Sequence, residues 1–200
     1  MRIDFDEAKH EYKIDGVTVP SVTEICKPLS VDIAANAKSW LREQAAAKGT
    51  LIHELCADYD FQLGFDGLGP PPEYEGYIHA YLDFLRDYRI REWMAVEYMI
   101  GDGKLGIAGT IDRVGIIDRE LSVVDLKTGT RIDRPYLTAQ LNGYRHLWNQ
   151  SMKQNITRMY GLQLKRDGTY RLIPCEYSPI FFMLLRVYSE RKQLQCRNSK

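Results

Sequence analysis

Three charged residues lie within apolar runs near the middle of the chain. Asp112 follows Gly109-Thr110-Ile111, and Asp125 and Lys127 end the run that begins at Val123. A buried ionised carboxylate is costly unless a positive charge lies beside it. A divalent cation suits two such carboxylates, because hard Mg²⁺ prefers oxygen ligands. Antiparallel strands joined by a short turn can bring Asp112 and Asp125 together, so these residues predict a metal site.

Asp125 and Lys127 are two residues apart, which puts both side chains on the same side of a strand. One side chain can then bind a metal while the other directs an ammonium group at the same reacting centre. The metal polarises a phosphate and lowers the pKa of a water molecule, and the lysine positions that water or stabilises the developing charge. The pattern therefore favours metal-assisted hydrolysis of phosphodiester bonds.

Four short motifs occur in a fixed order along the chain. They are Gly49-Thr50-Leu51-Ile52-His53, Gly109-Thr110-Ile111-Asp112, Asp125-Leu126-Lys127-Thr128-Gly129 and Gln140-Leu141-Asn142-Gly143-Tyr144. They resemble the G-T-x-x-H, G-x-x-D, D-x-K-T-G and Q-x-x-x-Y motifs of the PD-(D/E)XK nuclease superfamily, and within it of the RecB-like exonuclease group. The resemblance covers roughly residues 45–150, and the opening hairpin is similar to that of phage and prophage members.

The resemblance implies a role for each matching residue. His53, Asp112 and Asp125 would bind the metal, together with the main-chain carbonyl of Leu126. Lys127 would be the catalytic lysine. Alone, a histidine in a helix is more often a surface or core residue, and only the neighbouring motifs favour His53 as a ligand.

Three further residues are expected at the site by the same resemblance. Gln140 and Tyr144 are one helical turn apart and would face the site, where they would hold the end of the lysine or the scissile phosphate. Alternatively, Gln140 and Tyr144 simply belong to one face of a helix and have no role at the site. Glu97 matches an acidic position in the preceding strand. It would either contact the metal ligands without binding the metal itself, or bind the metal through a water molecule.

The function implied is that of a Mg²⁺-dependent deoxyribonuclease, expected to be an exonuclease, in which Mn²⁺ can substitute. Its substrate would be linear duplex DNA or single-stranded ends, in recombination, repair or phage DNA processing. A recombination protein or a single-strand-binding protein is a candidate partner. Two alternatives are a catalytically weak nucleic-acid-binding module and a structural subunit that keeps the nuclease fold. The intact histidine, aspartates and lysine favour the enzyme.

Some RecB-like nucleases and Cas4 proteins hold an iron–sulfur cluster through one early cysteine and a late group of three. Here Cys26 could be the early ligand, but only Cys175 and Cys196 are late, and they are far apart in the sequence. We therefore expect no iron–sulfur cluster. The four cysteines are expected to be reduced thiols of a cytoplasmic protein, in a bacterial cell that carries a prophage or is infected by a phage.

Contacts to DNA require local positive charge. Arg131, Arg134 and Arg145 follow the D-x-K-T-G motif and are the candidate DNA-binding residues. A second basic segment begins at Arg186. Its alternative interpretation is a solvated helix end, where cations suit the helix dipole.

The elements that must position these residues follow from periodicity and from turn residues. Asp15-Gly16 predicts a tight turn within a hairpin over residues 10–19, and Ser21 and Glu24 form a capping box that begins a helix. A loop is expected over residues 64–72. Helices are predicted over residues 32–47, 73–89, 136–149 and 179–195, with Gly49 breaking the first and Thr50 capping a further helix. Strands are predicted over residues 93–100, 107–117, 121–126, 156–164 and 170–173.

This order of elements predicts an α/β fold with a central mixed sheet flanked by helices. The resemblance specifies it as restriction-endonuclease-like. We expect one domain over residues 1–200. The core motifs would occupy residues 45–150, preceded by a hairpin and helices over residues 1–44 and followed by a hairpin and helix over residues 156–200.

Composition excludes several other classes of protein. The chain has 200 residues, 44% of them hydrophobic, with 27 basic and 27 acidic residues that cancel in net charge. A disordered chain and a disulfide-dense mini-protein do not fit these values. No apolar run approaches the roughly 20 residues of a membrane span, and the first residues lack the apolar core of a secretory signal. Because the net charge of the chain is zero, any surface that binds nucleic acid must be a local patch of positive charge.

Overall fold

The computed structural model describes residues 1–7, 9–30, 39–62 and 70–198. In chain order the elements are β1 (Ile3–Asp6), β2 (Glu11–Ile14), β3 (Val17–Val19), α1 (Val22–Cys26), α2 (Ser39–Asp60), α3 (Glu75–Asp87), β4 (Ala95–Asp102), β5 (Ile107–Ile117), β6 (Glu120–Lys127), α4 (Arg134–Met152), β7 (Arg158–Leu164), β8 (Tyr170–Cys175) and α5 (Ile180–Asn198). Among these described residues, no helix is long and apolar enough to cross a membrane.

The central sheet has five strands in the order β4-β5-β6-β7-β8. All neighbours are antiparallel except β6 and β7, which are parallel. A parallel pair needs a crossover connection, and α4 supplies it between these two strands. The predicted mixed α/β fold is confirmed.

Helices cover both faces of this sheet, because successive side chains of each strand point to opposite sides. One apolar core lies between the sheet and α1, α4 and α5, and it takes Val123 from β6. A second core lies against α2 and α3 and takes Val124 and Leu126 from the same strand. The polar residues Asp125 and Lys127 therefore point towards the side of α4.

A small sheet in the order β1-β2-β3 precedes the central sheet. The predicted turn is present, with positive φ angles of 48° at Asp15 and 84° at Gly16. Strand β1 was not predicted from the sequence. The Tyr12 hydroxyl lies 2.8 Å from the Thr110 hydroxyl of β5, which ties the small sheet to the strand that carries Asp112.

Helix α2 corrects one sequence prediction. It runs without interruption through Gly49 and Thr50, so the expected helix break at Gly49 is wrong. One glycine costs a helix only about 1 kcal/mol relative to alanine, and the three alanines and the lysine that precede this one are good helix formers. The expected helix over residues 32–38 and the expected loop over residues 64–69 lie outside the described residues. The capping box is confirmed, because the Ser21 hydroxyl accepts the amide N–H of Glu24 at 2.9 Å.

Candidate metal centre and active site

The site forms where strands β5 and β6 separate. Their residue pairing ends at Arg113 opposite Val124. One residue further along, the Asp112 Oδ2 atom accepts the main-chain N–H of Leu126 at 2.7 Å. A side-chain carboxylate thus replaces the next ladder bond, and it lies at the buried junction of the two strands.

Helix α2 brings His53 to this junction. Its Nδ1 atom lies 3.6 Å from the Asp112 Oδ2 atom and 3.6 Å from the Glu97 Oε1 atom. Its other ring nitrogen, Nε2, lies 3.2 Å from the carbonyl oxygen of Leu126. The histidine therefore touches three of the groups that the sequence analysis assigned to the site.

His53, Glu97 and Asp112 form a set that could hold a metal ion. One ligand atom from each lies within 4.8 Å of the others. Carboxylate oxygens suit hard divalent cations such as Mg²⁺. An imidazole nitrogen suits the divalent ions that come after Mn²⁺ in the first transition row. The donor set therefore fits a divalent cation.

Glu97 belongs to this set, although the motif resemblance predicts a less direct role for it. Its backbone has a φ of 42° in the middle of β4. A residue other than glycine in this left-handed region costs of order 1–3 kcal/mol. Its Oε1 atom accepts a hydrogen bond from Arg113 at 2.9 Å, which offsets part of this cost. The Glu97 carboxylate thus lies between Arg113 and His53.

Arg113 is a residue beside the site that sequence analysis missed. Its guanidinium is fully buried, and its Nε atom donates to Asp60 at 2.6 Å. Its Nη1 atom also donates to the carbonyl oxygen of Asp112 at 2.7 Å. Arg113 thus compensates the charge of Glu97 from within the protein. The available signal was an arginine in the apolar run of β5, which requires an acidic partner.

Two aromatic residues complete the surroundings of Arg113. The Tyr81 hydroxyl of α3 donates to Asp60 at 2.7 Å. The Trp93 indole N–H donates to that Tyr81 hydroxyl at 2.9 Å. Burial raises the pKa of Asp60, whereas the Arg113 charge acts in the opposite direction. The buried Asp60 carboxylate therefore accepts hydrogen bonds from both Arg113 and Tyr81, which compensates its removal from water.

Asp125 and Lys127 form an ion pair beside the His53 set. Burial raises the pKa of Asp125 to about 6, against the opposing effect of Lys127. For Lys127, burial lowers the pKa, but the carboxylates of Asp125 and Asp112 outweigh it and raise the pKa overall. The Lys127 ammonium also donates to the Gln140 Oε1 atom at 3.1 Å. The lysine is therefore charged at neutral pH and held from two sides.

Tyr144 lies one helical turn beyond Gln140 and is buried over the G-x-x-D strand. A Cβ atom added at Gly109 would lie 2.9 Å from the Tyr144 ring, so glycine leaves room for the phenol. Burial and the charges of Asp125 and Asp112 raise its pKa well above the usual value, and hydrogen bonds of Thr23 and Gln140 act in the opposite direction. The phenol is therefore protonated at neutral pH.

His53 carries a proton in the metal-free site. Burial lowers its pKa, but the charges of Asp112 and Glu97 outweigh this effect and raise the pKa to about 9. The Nδ1 atom of His53 lies 3.6 Å from both carboxylates, so a cation bound between them would be repelled by a charged imidazole. Metal binding must therefore displace this proton.

The three predicted DNA-binding arginines have different surroundings. Arg131 is exposed. Arg134 donates to the carbonyl oxygen of Pro174 at 3.1 Å. Arg145 donates to the carbonyl oxygen of Ile156 at 2.9 Å, and its guanidinium lies 5.6 Å from the centre of the Tyr177 ring. Their contact with DNA stays a prediction.

Comparison with known proteins gives one family match. A model of the PD-(D/E)XK nuclease superfamily matches residues 72–172, which include every candidate site residue except His53. Among solved structures, the crystal structure of SSO0001 is similar over 88% of this chain and 75% of that chain, with 15% identity and a TM-score of 0.41. No curated protein matches significantly. The chain belongs to the PD-(D/E)XK nuclease superfamily, whose members are generally metal-dependent nucleases.

Proposed function

We propose that this chain is a Mg²⁺-dependent deoxyribonuclease that degrades DNA from its ends, with Mn²⁺ able to replace Mg²⁺. The observation that carries the proposal is the convergence of His53, Glu97 and Asp112 beside the Asp125–Lys127 pair. A nucleic-acid-binding module has no need to bury carboxylates of like charge so close together. This argument favours the enzyme over a catalytically weak binding subunit.

His53, Glu97 and Asp112 would hold the cation, and Asp125 and the Leu126 carbonyl are further proposed ligands. A carboxylate has two oxygens, so Asp125 can pair with Lys127 through one oxygen and face the cation with the other. When bound, a divalent cation there would polarise the scissile phosphate and lower the pKa of a water molecule.

The remaining roles belong to the chain's own polar groups. The Lys127 ammonium would orient the attacking water or stabilise the charge that develops on the phosphate oxygens. Gln140 fixes the direction of that ammonium through their 3.1 Å hydrogen bond. Tyr144, with its phenol protonated, would help to hold the Gln140 side chain in position. Each role needs a rigid side chain, which burial between α4 and the sheet supplies.

The proposed setting is a bacterial cytoplasm in which a phage or prophage processes its DNA. Arg131, Arg134 and Arg145 are proposed to contact DNA phosphates. The proposed partners are DNA ends and a recombination or single-strand-binding protein. These assignments rest on the resemblance of the motifs and on the local positive charge.

The test is incubation of the purified protein with linear and covalently closed circular DNA, in Mg²⁺ or in excess chelator. We expect linear DNA to be degraded only with metal, and circular DNA to survive. Asp112→Asn should abolish cleavage, because it removes a charged ligand while its amide oxygen can still accept the Leu126 N–H. Asp118→Asn, in the exposed turn at the other end of β5, is the matched control and should cleave normally.

Three outcomes would change the proposal. Cleavage of circular DNA would replace the exonuclease with an endonuclease. Full activity of Asp112→Asn would remove Asp112 from the metal centre. Absence of cleavage with every divalent metal, combined with retained DNA binding, would favour the binding subunit. Linear duplexes labelled at the 5′ or the 3′ end then give the polarity.

A further inference from the structure

A groove begins at the residue that follows Lys127. It has a volume of about 430 Å³ and lies between residues 128–130 and the hairpin that joins β7 to β8. Its outer wall carries Lys165, Arg166 and Arg171. A volume of this size is in the range of pockets that enclose a small ligand or a few groups of a larger one.

Sheet register connects this groove to the active site. Lys127 pairs with Gln163 across the parallel strands β6 and β7, and Gln163 pairs with Arg171 across β7 and β8. Paired residues lie on the same face of a sheet, so these three side chains form a row on the face covered by α4. Two strand spacings of about 4.8 Å separate Lys127 from Arg171. That distance is roughly 10 Å, so Arg171 lies close enough to Lys127 to contact the same nucleic-acid strand.

The inner wall of the groove is held in place by hydrogen bonds. Gln163 is buried, and its Nε2 atom donates to the carbonyl oxygens of Gly129 and Thr130 at 2.7 and 3.2 Å. The Lys48 ammonium of α2 lies 3.5 Å from the Thr128 carbonyl oxygen and 3.2 Å from the Tyr77 hydroxyl. The loop after the catalytic lysine is thus fixed before any ligand arrives.

The charge of the groove is positive. Arg166 and Arg171 are exposed to solvent. Asp167 is the single carboxylate among the described residues that line the groove. Its Oδ1 atom already accepts the amide and the hydroxyl of Thr169 at 3.0 and 2.7 Å. Three basic side chains, Lys165, Arg166 and Arg171, therefore outnumber the one carboxylate along this groove.

We propose that this groove binds the sugar–phosphate backbone of a single nucleic-acid strand next to the scissile phosphate, with Arg166 and Arg171 as its phosphate contacts. The inference rests on the proposed nuclease function and names its substrate as a separated strand. Among the described lining residues, the one aromatic ring belongs to Tyr77, which is buried. With no exposed ring on which bases could stack, the groove contacts the backbone and is indifferent to base sequence.

The test is binding of a fluorescein-labelled single-stranded oligonucleotide, measured by anisotropy in Ca²⁺ over a series of salt concentrations. Arg166→Gln/Arg171→Gln should weaken binding and reduce the slope of log affinity against log salt by about 1.4, since two phosphate contacts are lost at about 0.7 each. The same slope should be found with oligonucleotides of different base sequence. Arg119→Gln, at the exposed turn between β5 and β6, is the matched control and should bind with the wild-type slope.

Thermal unfolding of each variant verifies that the arginine changes leave the fold intact. An unchanged salt slope in Arg166→Gln/Arg171→Gln overturns the proposal, and so does equal weakening in Arg119→Gln. A preference for blunt duplex over single strand would equally overturn it. Because binding is measured apart from cleavage, a protein that binds through the groove but never cleaves DNA would contradict the nuclease function and leave the groove assignment standing.

Discussion

At the scale of single residues, Lys127 has the most constrained position in the site. The Asp125 carboxylate and the Gln140 side-chain oxygen hold its ammonium from two sides. Neighbouring carboxylates keep it charged despite burial. A fixed cation of this kind stabilises negative charge that develops in a transition state more than charge already present in the substrate.

Lys127→Ala should therefore separate catalysis from binding. We expect single-turnover cleavage in Mg²⁺ to fall by about 10²–10³-fold, the range for loss of one preorganised stabilising group. DNA affinity in Ca²⁺ should change little. Lys127→Arg should not restore the rate, because a planar guanidinium cannot replace a compact ammonium. A loss of affinity in proportion to the rate would make Lys127 a phosphate anchor instead.

The proton on His53 predicts how metal binding depends on pH. With a pKa of about 9 in the metal-free protein, His53 is protonated at neutral pH, and a cation must displace that proton. Metal affinity should therefore rise as the pH increases towards 9, by about tenfold per pH unit for one released proton. Above that pH the dependence should flatten.

Calorimetric titration with Mn²⁺ in two buffers of different ionisation enthalpy measures the number of protons released. His53→Ala should bind the metal more weakly and without this proton release. His79→Ala changes an exposed histidine of α3 and should keep the wild-type release. Proton release that persists in His53→Ala would assign the linkage to another group.

At the scale of elements, periodicity and turn residues predicted the five central strands, the crossover helix and the N-terminal hairpin. Strand β1 was missed because its four residues alternate apolar and acidic side chains, too short a run to stand out. The four motifs led to His53, Asp112, Lys127 and Gln140, because each motif is local. The ion pair of Arg113 with Asp60 spans 53 positions of the chain, so no local pattern could reveal it.

The continuity of α2 gives a prediction about Gly49. A Cβ atom added there would meet only the Thr128 hydroxyl at 3.6 Å, an ordinary contact, and the backbone is helical. Gly49→Ala should therefore raise the free energy of unfolding by about 0.5–1 kcal/mol, by restricting the unfolded chain. Denaturant titration measures the change.

Gly143→Ala provides the contrasting control, because its Cβ atom would lie 2.8 Å from both Phe181 and Val22 and should destabilise the protein. A lower stability of Gly49→Ala would mean that α2 needs glycine at this position, and would contradict this prediction.

At the scale of the whole molecule, Arg113 connects elements that are distant along the chain. It joins Asp60 at the end of α2 to Glu97 in β4, and Tyr81 of α3 donates to the same aspartate. Removing one partner of a buried ion pair leaves an uncompensated charge, at a cost of about 3–5 kcal/mol. Arg113→Leu should lower the free energy of unfolding by this amount in denaturant titrations.

Arg158→Leu is the control for this prediction. Its guanidinium is largely exposed and lies 3.7 Å from Glu120, and exposed pairs contribute only about 0–1 kcal/mol. If Arg113→Leu does not fold, Asp60→Asn is the second variant. It removes the charge of the partner but keeps its shape, so it should lower the free energy of unfolding by less. Equal stability of Arg113→Leu and Arg158→Leu would contradict the role of Arg113 as a connection between elements.

The distribution of charge also belongs to the whole molecule. Basic and acidic residues are equal in number, so attraction to DNA depends on where the cations lie. Sequence analysis could group only arginines that are close along the chain, such as Arg131 and Arg134. Sheet register instead aligns Arg171 with Lys127 through two strands, a relation that exists only in the folded protein.

The two main-chain contacts of Leu126 determine which substitutions the site tolerates at this position. Its N–H binds Asp112 and its carbonyl lies against His53, while its side chain is buried in the opposite core. Exchange of this leucine for another apolar residue of similar size leaves both contacts in place, because every amino acid brings the same carbonyl and all but proline bring the N–H. At the middle position of the D-x-K motif, the site thus depends only on the backbone N–H and carbonyl. The side chain at this position only has to fit the core into which it packs.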